Sequence, residues 1–442
     1  MTPQPTPRRQ RVPGRTPKPA GAGTALLLEG VDPAAEEALS AAGYRVVTET
    51  RALGPAELVK RITDLCAGGT PERKGPAGRT AGGAVLLGVR SKTQVDAEAI
   101  AAGGAALAAI GCFCIGVNQV DLSAAAGAGV AVFNAPFSNT RSVAELTIAE
   151  IIALHRRLGD QSAAMHRGDW DKSAQGAHEV RGRTLGIVGY GHIGSQLSVL
   201  AEALGMRVVF YDIAPKLPLG NARACRSLPE LLKTADVVSL HVPATPRTKS
   251  LIGAAEVRLM RPGSVLINNA RGSVVDLDAL AEALRAGRLS GAALDVFPAE
   301  PEGRGDRFQS PVQGLANVIL TPHIGGSTRE AQASIALDVA GKWLGYLRAG
   351  STTGSVNLPE VELPDPGLAG THRLTHVHRN VPGVLSKINA VFANRGINIA
   401  AQSLRTNERV GYVALDVEAA QAQRAVEELN RLDETIRTRL VR

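Results

Sequence analysis

Three side chains able to clamp a carboxylate and move a proton each stand a few residues past a short apolar run: Arg271 after 264–268, Glu300 after 292–296 and His323 after 318–320. Such a set suits hydride transfer from a hydroxy acid, which requires a clamp for the carboxylate, a group that takes the hydroxyl proton and an acceptor for the hydride. An arginine clamps a carboxylate through two parallel N–H bonds. A histidine removes the proton, or returns it when the keto acid is reduced, and a glutamate holds the imidazole and raises its pKa. Each residue alone also has a plain structural reading, because a His before glycines caps, a Glu-Pro turns and an Arg pairs with surface acids. Their order behind a nucleotide fingerprint favours the chemical reading.

That fingerprint is Gly189-Tyr190-Gly191-His192-Ile193-Gly194. The pattern G-x-G-x-x-G is weak by itself, but here it follows a strand-like run at 185–188 and opens a helical stretch at 197–204. Asp212 closes the next apolar run about twenty residues on, where a ribose-binding acid belongs. The first glycine permits the tight turn, the second lets the backbone approach a pyrophosphate, and the third lets helix and strand pack closely. The helix N-terminus then offers unpaired N–H groups to the phosphates. A carboxylate at Asp212 accepts hydrogen bonds from the ribose hydroxyls and repels a 2′-phosphate, so NAD is expected rather than NADP.

The elements needed to position these groups are legible as alternating strands and helices. From 182 to 326, strand-like runs at 185–188, 207–211, 237–242, 264–268, 292–296 and 318–320 alternate with helical stretches, which predicts a parallel sheet covered on both faces. An earlier β-α-β rhythm begins at 25–28, with a helix at 32–42 and strands at 45–47 and 84–89. The Gly- and Pro-rich run 67–83 interrupts it as a surface insertion, and residues 1–23 are expected to be a disordered Pro-rich head. A helix at 331–347 leads into a polar linker, 351–370, and the last seventy residues spell β-α-β-β-α-β, a ferredoxin-like arrangement.

Bulk properties bound the function further. The chain has 442 residues, too many for a single core, with 44% hydrophobic and only 3% aromatic residues. Its net charge of +8 owes much to Arg8, Arg9, Arg11, Arg15 and Lys18 in the acid-free head. No basic stripe interleaved with aromatics occurs, so nucleic acid is not an expected partner. The four cysteines, Cys66, Cys112, Cys114 and Cys225, read as reduced thiols; no zinc-site spacing is present and no metal is expected. The absence of an apolar run of about eighteen residues, and of a signal-peptide core, predicts a cytoplasmic protein without a membrane partner. The basic head faintly resembles a transit peptide, but its prolines oppose the helix such peptides form.

The runs Gly111-Cys112-Phe113-Cys114-Ile115-Gly116, Asn134-Ala135-Pro136-Phe137-Ser138-Asn139-Thr140-Arg141-Ser142-Val143-Ala144-Glu145, Gly189 to Gly194, Tyr211-Asp212, Ala270-Arg271-Gly272 and His323-Ile324-Gly325-Gly326-Ser327 resemble the D-isomer-specific 2-hydroxy-acid dehydrogenase family. They look most like its branch acting on D-3-phosphoglycerate, over nearly the whole chain from Ala25. The resemblance implies an α/β fold with two Rossmann-like doubly wound parallel-sheet domains and a C-terminal ferredoxin-like βαββαβ ACT domain. The substrate domain would comprise 24–136 and 328–350 and the NAD domain 137–327, with catalysis in a cleft between closing lobes; the linker 351–370 and the regulatory domain 371–442 would follow.

By the same resemblance Arg271, Glu300 and His323 are catalytic. Gly189, Gly191, His192, Ile193, Gly194, Asp212, Ala270, Asp295 and Gly326 meet the cofactor, and Arg90, Ser91, Lys92, Asn139 and Lys172 meet the substrate 3-phosphoglycerate. The family's Arg-Ser-Arg-Thr appears here as Arg90-Ser91-Lys92-Thr93, which keeps the charge and loses one planar fork. Lys172 would act from a neighbouring subunit. The C-terminal module resembles ACT domains that bind amino acids between paired modules, which implies L-serine as allosteric inhibitor at His378, Asn380 and Asn398, in a homotetramer. A side activity on 2-oxoglutarate is a further expectation. Glyoxylate and hydroxypyruvate reductases, which usually lack such a module, formate dehydrogenase, which has Gln where Glu300 stands, and a dinucleotide-sensing scaffold are the alternatives.

Overall fold

The computed structural model describes residues 23–67, 83–301, 306–364 and 370–441. The expected Pro-rich head and the 67–83 insertion therefore fall almost wholly outside the described residues. Two compact units emerge, Met1–Asn134 with Ala336–Arg442, and Ala135–Ile335.

The first unit opens with β1 (Gly23–Leu27), β2 (Arg45–Thr48), β3 (Ala84–Val89), β4 (Leu107–Cys112) and β5 (Ala131–Asn134), joined in the parallel order β2-β1-β3-β4-β5. Runs such as Leu86-Leu87 and Ala109-Ile110 are buried, as continuous apolar strands of a covered parallel sheet must be. Three of its helices start on an aspartate that accepts a backbone N–H of the first turn: Asp32 from Ala34 at 3.0 Å, Asp96 from Ala99 at 2.9 Å and Asp121 from Ala124 at 2.9 Å. Each such cap stabilises its helix by about 1 kcal/mol. Against this sheet pack the residues of helix Arg329–Ala349 from Ala336 onward; Trp343 is fully buried, edge-on to Phe113 at 5.5 Å. Gly111 makes room for it, because a Cβ there would lie 2.6 Å from the indole.

The 351–370 run, read from its composition as a linker, docks its described part on β5. The Asn357 side chain accepts from Val132 N–H at 2.9 Å and donates to the Val130 carbonyl at 2.8 Å, and Thr352, Leu358 and Val361 are buried. Beyond it lie β13 (Thr371–Arg379), β14 (Ile399–Thr406), β15 (Val410–Glu418) and β16 (Thr435–Val441), which form an antiparallel sheet in the order β14-β15-β13-β16. Helices Val384–Asn394 and Ala422–Leu429 cover it through Ile388, Phe392, Val426 and Leu429. A buried Arg373–Asp416 pair, bonded at 2.7 and 2.8 Å, ties β13 to β15, and Arg373 also donates to the carbonyls of Ala349 and Pro364.

The second unit is built on β6 (Thr184–Val188), β7 (Arg207–Tyr211), β8 (Arg223–Ala224), β9 (Val237–Leu240), β10 (Val265–Asn268), β11 (Gly291–Leu294) and β12 (Val318–Leu320). They form a parallel sheet in the order β12-β11-β10-β9-β6-β7-β8. The direction of winding reverses at β6 and β9, the switch point at which ligands collect in such folds. Two-residue β8 is too short to have announced itself by periodicity. Conversely, β9 and β11 stop two residues before the expected 242 and 296, so that His241 and Asp295 leave the ladder and enter the loops above it. The architecture is thus α/β, with two doubly wound parallel sheets and a ferredoxin-like C-terminal module.

Candidate active site

The glycine loop and the charged trio all belong to the second unit, on the loops that follow its strands. Gly189 has φ 93°, and a Cβ on it would come 2.5 Å from the His241 carbonyl oxygen. A Cβ on Gly194 would come 2.3 Å from the Gly189 oxygen and 2.9 Å from Ile187. At Gly191, by contrast, a Cβ would meet nothing within 4 Å, so this glycine leaves open space over the start of helix His192–Ala203. That helix begins on Gly191 without a side-chain cap, and its first N–H groups remain available to an anion.

Asp212 is fixed beside this loop, accepting from Tyr190 N–H at 2.8 Å and from Ala214 N–H at 2.9 Å. Both its oxygens retain a lone pair for ribose hydroxyls. Tyr190 is anchored in turn by stacking on Phe210 at 3.8 Å and by a 2.7 Å hydrogen bond to Ser198. The residues present fit a dinucleotide: an open backbone surface, an uncapped helix N-terminus and an acid at the next strand end. Ile193 is half-buried, and the exposed His192 stacks on Phe137 at 3.7 Å.

Arg271, Glu300 and His323 follow β10, β11 and β12, which lie side by side. Buried Asn268 organises the first loop: its Oδ1 accepts from Ala270 N–H at 3.2 Å and its Nδ2 donates to the Arg271 carbonyl at 3.0 Å. Arg271 is half-buried, with Nη1 donating to the Ala270 carbonyl at 2.7 Å. Glu300 joins the other two loops. Its Oε1 accepts from Phe297 N–H at 3.1 Å, and its Oε2 lies 2.9 Å from His323 Nδ1. With Nδ1 engaged, Nε2 is the imidazole nitrogen left to face a substrate. Phe297, Phe308, Leu320 and Pro322 help wall a cavity of about 390 Å³ beside this pair.

The backbone at His323 is left-handed, φ 56°, a conformation that costs a non-glycine residue roughly 1–2 kcal/mol. It is held there by Asp295. That carboxylate accepts from the Thr321 hydroxyl at 2.6 Å, from Ile324 N–H at 2.7 Å and from Gly325 N–H at 2.7 Å. Asp295, one of the residues that the resemblance assigns to the cofactor, is 1% exposed and supports the His323 turn. Gly325 and Gly326 follow for want of room, since a Cβ would approach Asp295 to 2.9 Å at the first and the Asn139 amide to 2.5 Å at the second. Asn139 itself is buried at the start of helix Thr140–Arg156 and makes no cap bond, its Oδ1 lacking a partner. Lys172 lies exposed in the loop before β6.

Sequence reasoning missed the layer beneath. Buried Glu150 accepts from Asn269 Nδ2 at 2.6 Å, and burial pushes its carboxyl up to about 8, with Asp295 adding to the rise. His241, on the loop after β9, bonds Ser239 at 2.9 Å, and burial lowers its pKa to about 4. Neither residue stands in a motif: Glu150 lies inside helix Thr140–Arg156 and His241 just past β9, and no local spacing singles out either one.

The remaining residues singled out belong to the first unit. Arg90, Ser91 and Lys92 follow β3, the first half-buried and the others exposed. His378 is buried on β13 with Nδ1 against the Arg379 carbonyl at 2.9 Å and Nε2 unpartnered; Asn380 and Asn398 are exposed, and Asn380 donates to the Asn407 carbonyl at 2.8 Å. Among the described residues, no cluster of three or more His, Cys, Asp or Glu side chains could hold a metal ion, and no helix is long and apolar enough to cross a membrane.

Comparison with known proteins bears on the same residues. Residues 148–325 match the family described as D-isomer specific 2-hydroxyacid dehydrogenase, NAD binding domain, and residues 374–437 match an AHAS small subunit-like ACT domain. A D-3-phosphoglycerate dehydrogenase of Haemophilus influenzae is 52% identical over 94% of this chain and 96% of its own; one from Dictyostelium discoideum is 45% identical over 94% and 96%. Among solved structures, D-lactate dehydrogenase from Aquifex aeolicus complexed with NAD and lactic acid aligns at 28% identity with a TM-score of 0.58, covering 73% of this chain and 95% of that one. The chain belongs to the D-isomer specific 2-hydroxyacid dehydrogenase family, as an NAD-dependent oxidoreductase that carries an ACT module.

Proposed function

We propose that this chain interconverts D-3-phosphoglycerate and 3-phosphohydroxypyruvate with NAD, the first step of L-serine biosynthesis, and that L-serine inhibits it through the ACT module. The observation that carries the catalytic part is the 2.9 Å contact between His323 Nδ1 and Glu300 Oε2, at the ends of neighbouring strands. The substrate assignment draws support from relatives named for that activity and from the cationic pair Arg90 and Lys92.

In this reading Arg271 clamps the substrate carboxylate and Arg90, Ser91 and Lys92 receive the phosphate. His323 Nε2 takes the C2 hydroxyl proton as the C2 hydride departs, and the Glu300 carboxylate stabilises the imidazolium that results. NAD, when bound, supplies the hydride acceptor. Gly189, Gly191, His192, Ile193, Gly194, Asp212, Ala270 and Gly326 bind and orient it, while Asn139 and Lys172 complete the substrate contacts. In the reverse direction His323 returns the proton, and 2-oxoglutarate is a secondary substrate.

L-serine would bind at His378, Asn380 and Asn398, the unpartnered His378 Nε2 offering a buried polar contact. The working form is a cytoplasmic homotetramer. Initial rates of NADH oxidation with 3-phosphohydroxypyruvate, hydroxypyruvate and 2-oxoglutarate, each with and without millimolar L-serine, test the reading. The phosphorylated keto acid should give the highest kcat/KM and serine should suppress its turnover. A preference for hydroxypyruvate would overturn the substrate assignment, and turnover indifferent to serine would overturn the regulatory one.

A further inference from the structure

The turn that follows β3 presents four consecutive backbone N–H groups, of Arg90, Ser91, Lys92 and Thr93, to one point. Such a concave array of amides is an anion site in its own right. Here the anion is internal. Glu29 Oε1 accepts from Arg90 at 3.2 Å and from Thr93 at 2.8 Å, and its Oε2 accepts from Ser91 at 3.1 Å and from Lys92 at 3.0 Å. Glu29 stands just past β1, the neighbour of β3, and reaches the turn from a left-handed backbone, φ 64°.

The rest of the turn is equally committed. The Arg90 carbonyl accepts from Gln119 Nε2 and from the Cys114 thiol, and the buried Thr93 hydroxyl accepts from Leu53 N–H at 3.3 Å. With the four amides bonded to Glu29, the cationic groups that the turn has left to offer an anion are the side chains of Arg90 and Lys92. Were Glu29 uncharged, four N–H donors would face a weak acceptor, and the turn would lose the bonds that fix its shape.

We infer that Glu29 is the positioning residue for phosphate recognition: it occupies the anion nest of the 90–93 turn and thereby holds Arg90 and Lys92 in place to discriminate a phosphorylated keto acid from its unphosphorylated counterpart. This inference rests on the assignment of Arg90 and Lys92 to the substrate phosphate. Glu29 acts through those side chains and touches no reacting atom, so its effect is read as a change in discrimination, not in the chemical step.

The test compares kcat/KM for 3-phosphohydroxypyruvate with kcat/KM for hydroxypyruvate in the wild type, Glu29→Gln, Glu29→Asp and the double variant Arg90→Ala/Lys92→Ala. Glu29→Gln should lower the ratio by about tenfold, through KM for the phosphorylated substrate, because one charged acceptor is lost to several donors. Glu29→Asp keeps the charge on a shorter arm and should fall between; it decides the matter by the same ratio if Glu29→Gln does not fold. A parallel fall for both substrates, or a ratio that stays within about twofold in the Glu29 variants, overturns the inference. If the double variant collapses the ratio while the Glu29 variants keep it, only Glu29 loses its role; if the double variant also keeps it, the phosphate assignment falls as well.

Discussion

The Asp295 carboxylate, 1% exposed, accepts the Gly325 N–H at 2.7 Å, and so the turn that presents His323 is fixed by a residue at the end of the adjacent strand. With Ile324 N–H and the Thr321 hydroxyl on the same carboxylate, the left-handed His323 backbone has three supports. Asp295→Asn replaces a charged acceptor of three donors by an amide that brings a donor of its own. Turnover should fall by roughly 10 to 100-fold and stability by about 1–3 kcal/mol, the scale of buried donors left without an acceptor. Steady-state kinetics and thermal melting measure both; a variant with wild-type turnover would remove Asp295 from this role.

His323→Gln preserves size and hydrogen bonding but cannot carry the proton. Its kcat should drop by roughly 10² to 10⁴-fold, the usual contribution of general acid–base catalysis, with the melting midpoint little changed because the side chain is exposed. Normal turnover in this variant would assign the proton transfer to another group.

Glu150 gives a pH dependence with a definite sign. Its carboxyl is raised by burial from an ordinary value of 4.5 to about 8, so the folded state holds a proton that the unfolded chain releases. The contribution is fully present below pH 4.5 and is lost as pH rises through about 8. Glu150→Gln keeps the shape and removes the ionisation, so the wild type should lose melting temperature between about pH 5 and 8 relative to the variant, by a few degrees. Parallel pH profiles for the two proteins would show that Glu150 does not titrate in this range.

In the ACT module, the His378 imidazole lies over Gly411, where a Cβ would come 2.3 Å from the ring. Gly411→Ala should displace the ring and raise the serine concentration for half-inhibition by about tenfold, the effect of one hydrogen bond to a charged group. Asn380→Ala should relieve inhibition to a comparable degree while NADH oxidation without serine persists. Unchanged serine response in both variants would relocate the pocket.

Much of this arrangement was legible because Arg271, Glu300 and His323 each follow a short apolar strand and the fingerprint glycines have separable steric reasons. Gly189, Gly191 and Gly194 show them in turn: positive φ, open space and close packing. What the sequence withheld was the supporting polar layer. Asp295 reads like another strand-end acid beside Asp212, and only its three internal donors reveal that it holds the His323 turn. Glu29 and Glu150 lie 61 and 119 residues from Arg90 and Asn269, the groups they bond, so no local spacing couples them. The docking of 351–364 was hidden for a related reason: Asn357 and Thr352 are polar side chains that bury themselves by bonding backbone, which composition alone reads as a solvated linker.

The most direct test of the central claim is the initial rate of NADH oxidation with 3-phosphohydroxypyruvate for the purified wild type and for His323→Gln, with the deuterated hydride donor used to time the chemical step. Rapid wild-type turnover that collapses in the variant, while NADH binding measured by fluorescence persists, is the predicted result. No turnover by the wild type, or equal turnover by both proteins, would contradict it.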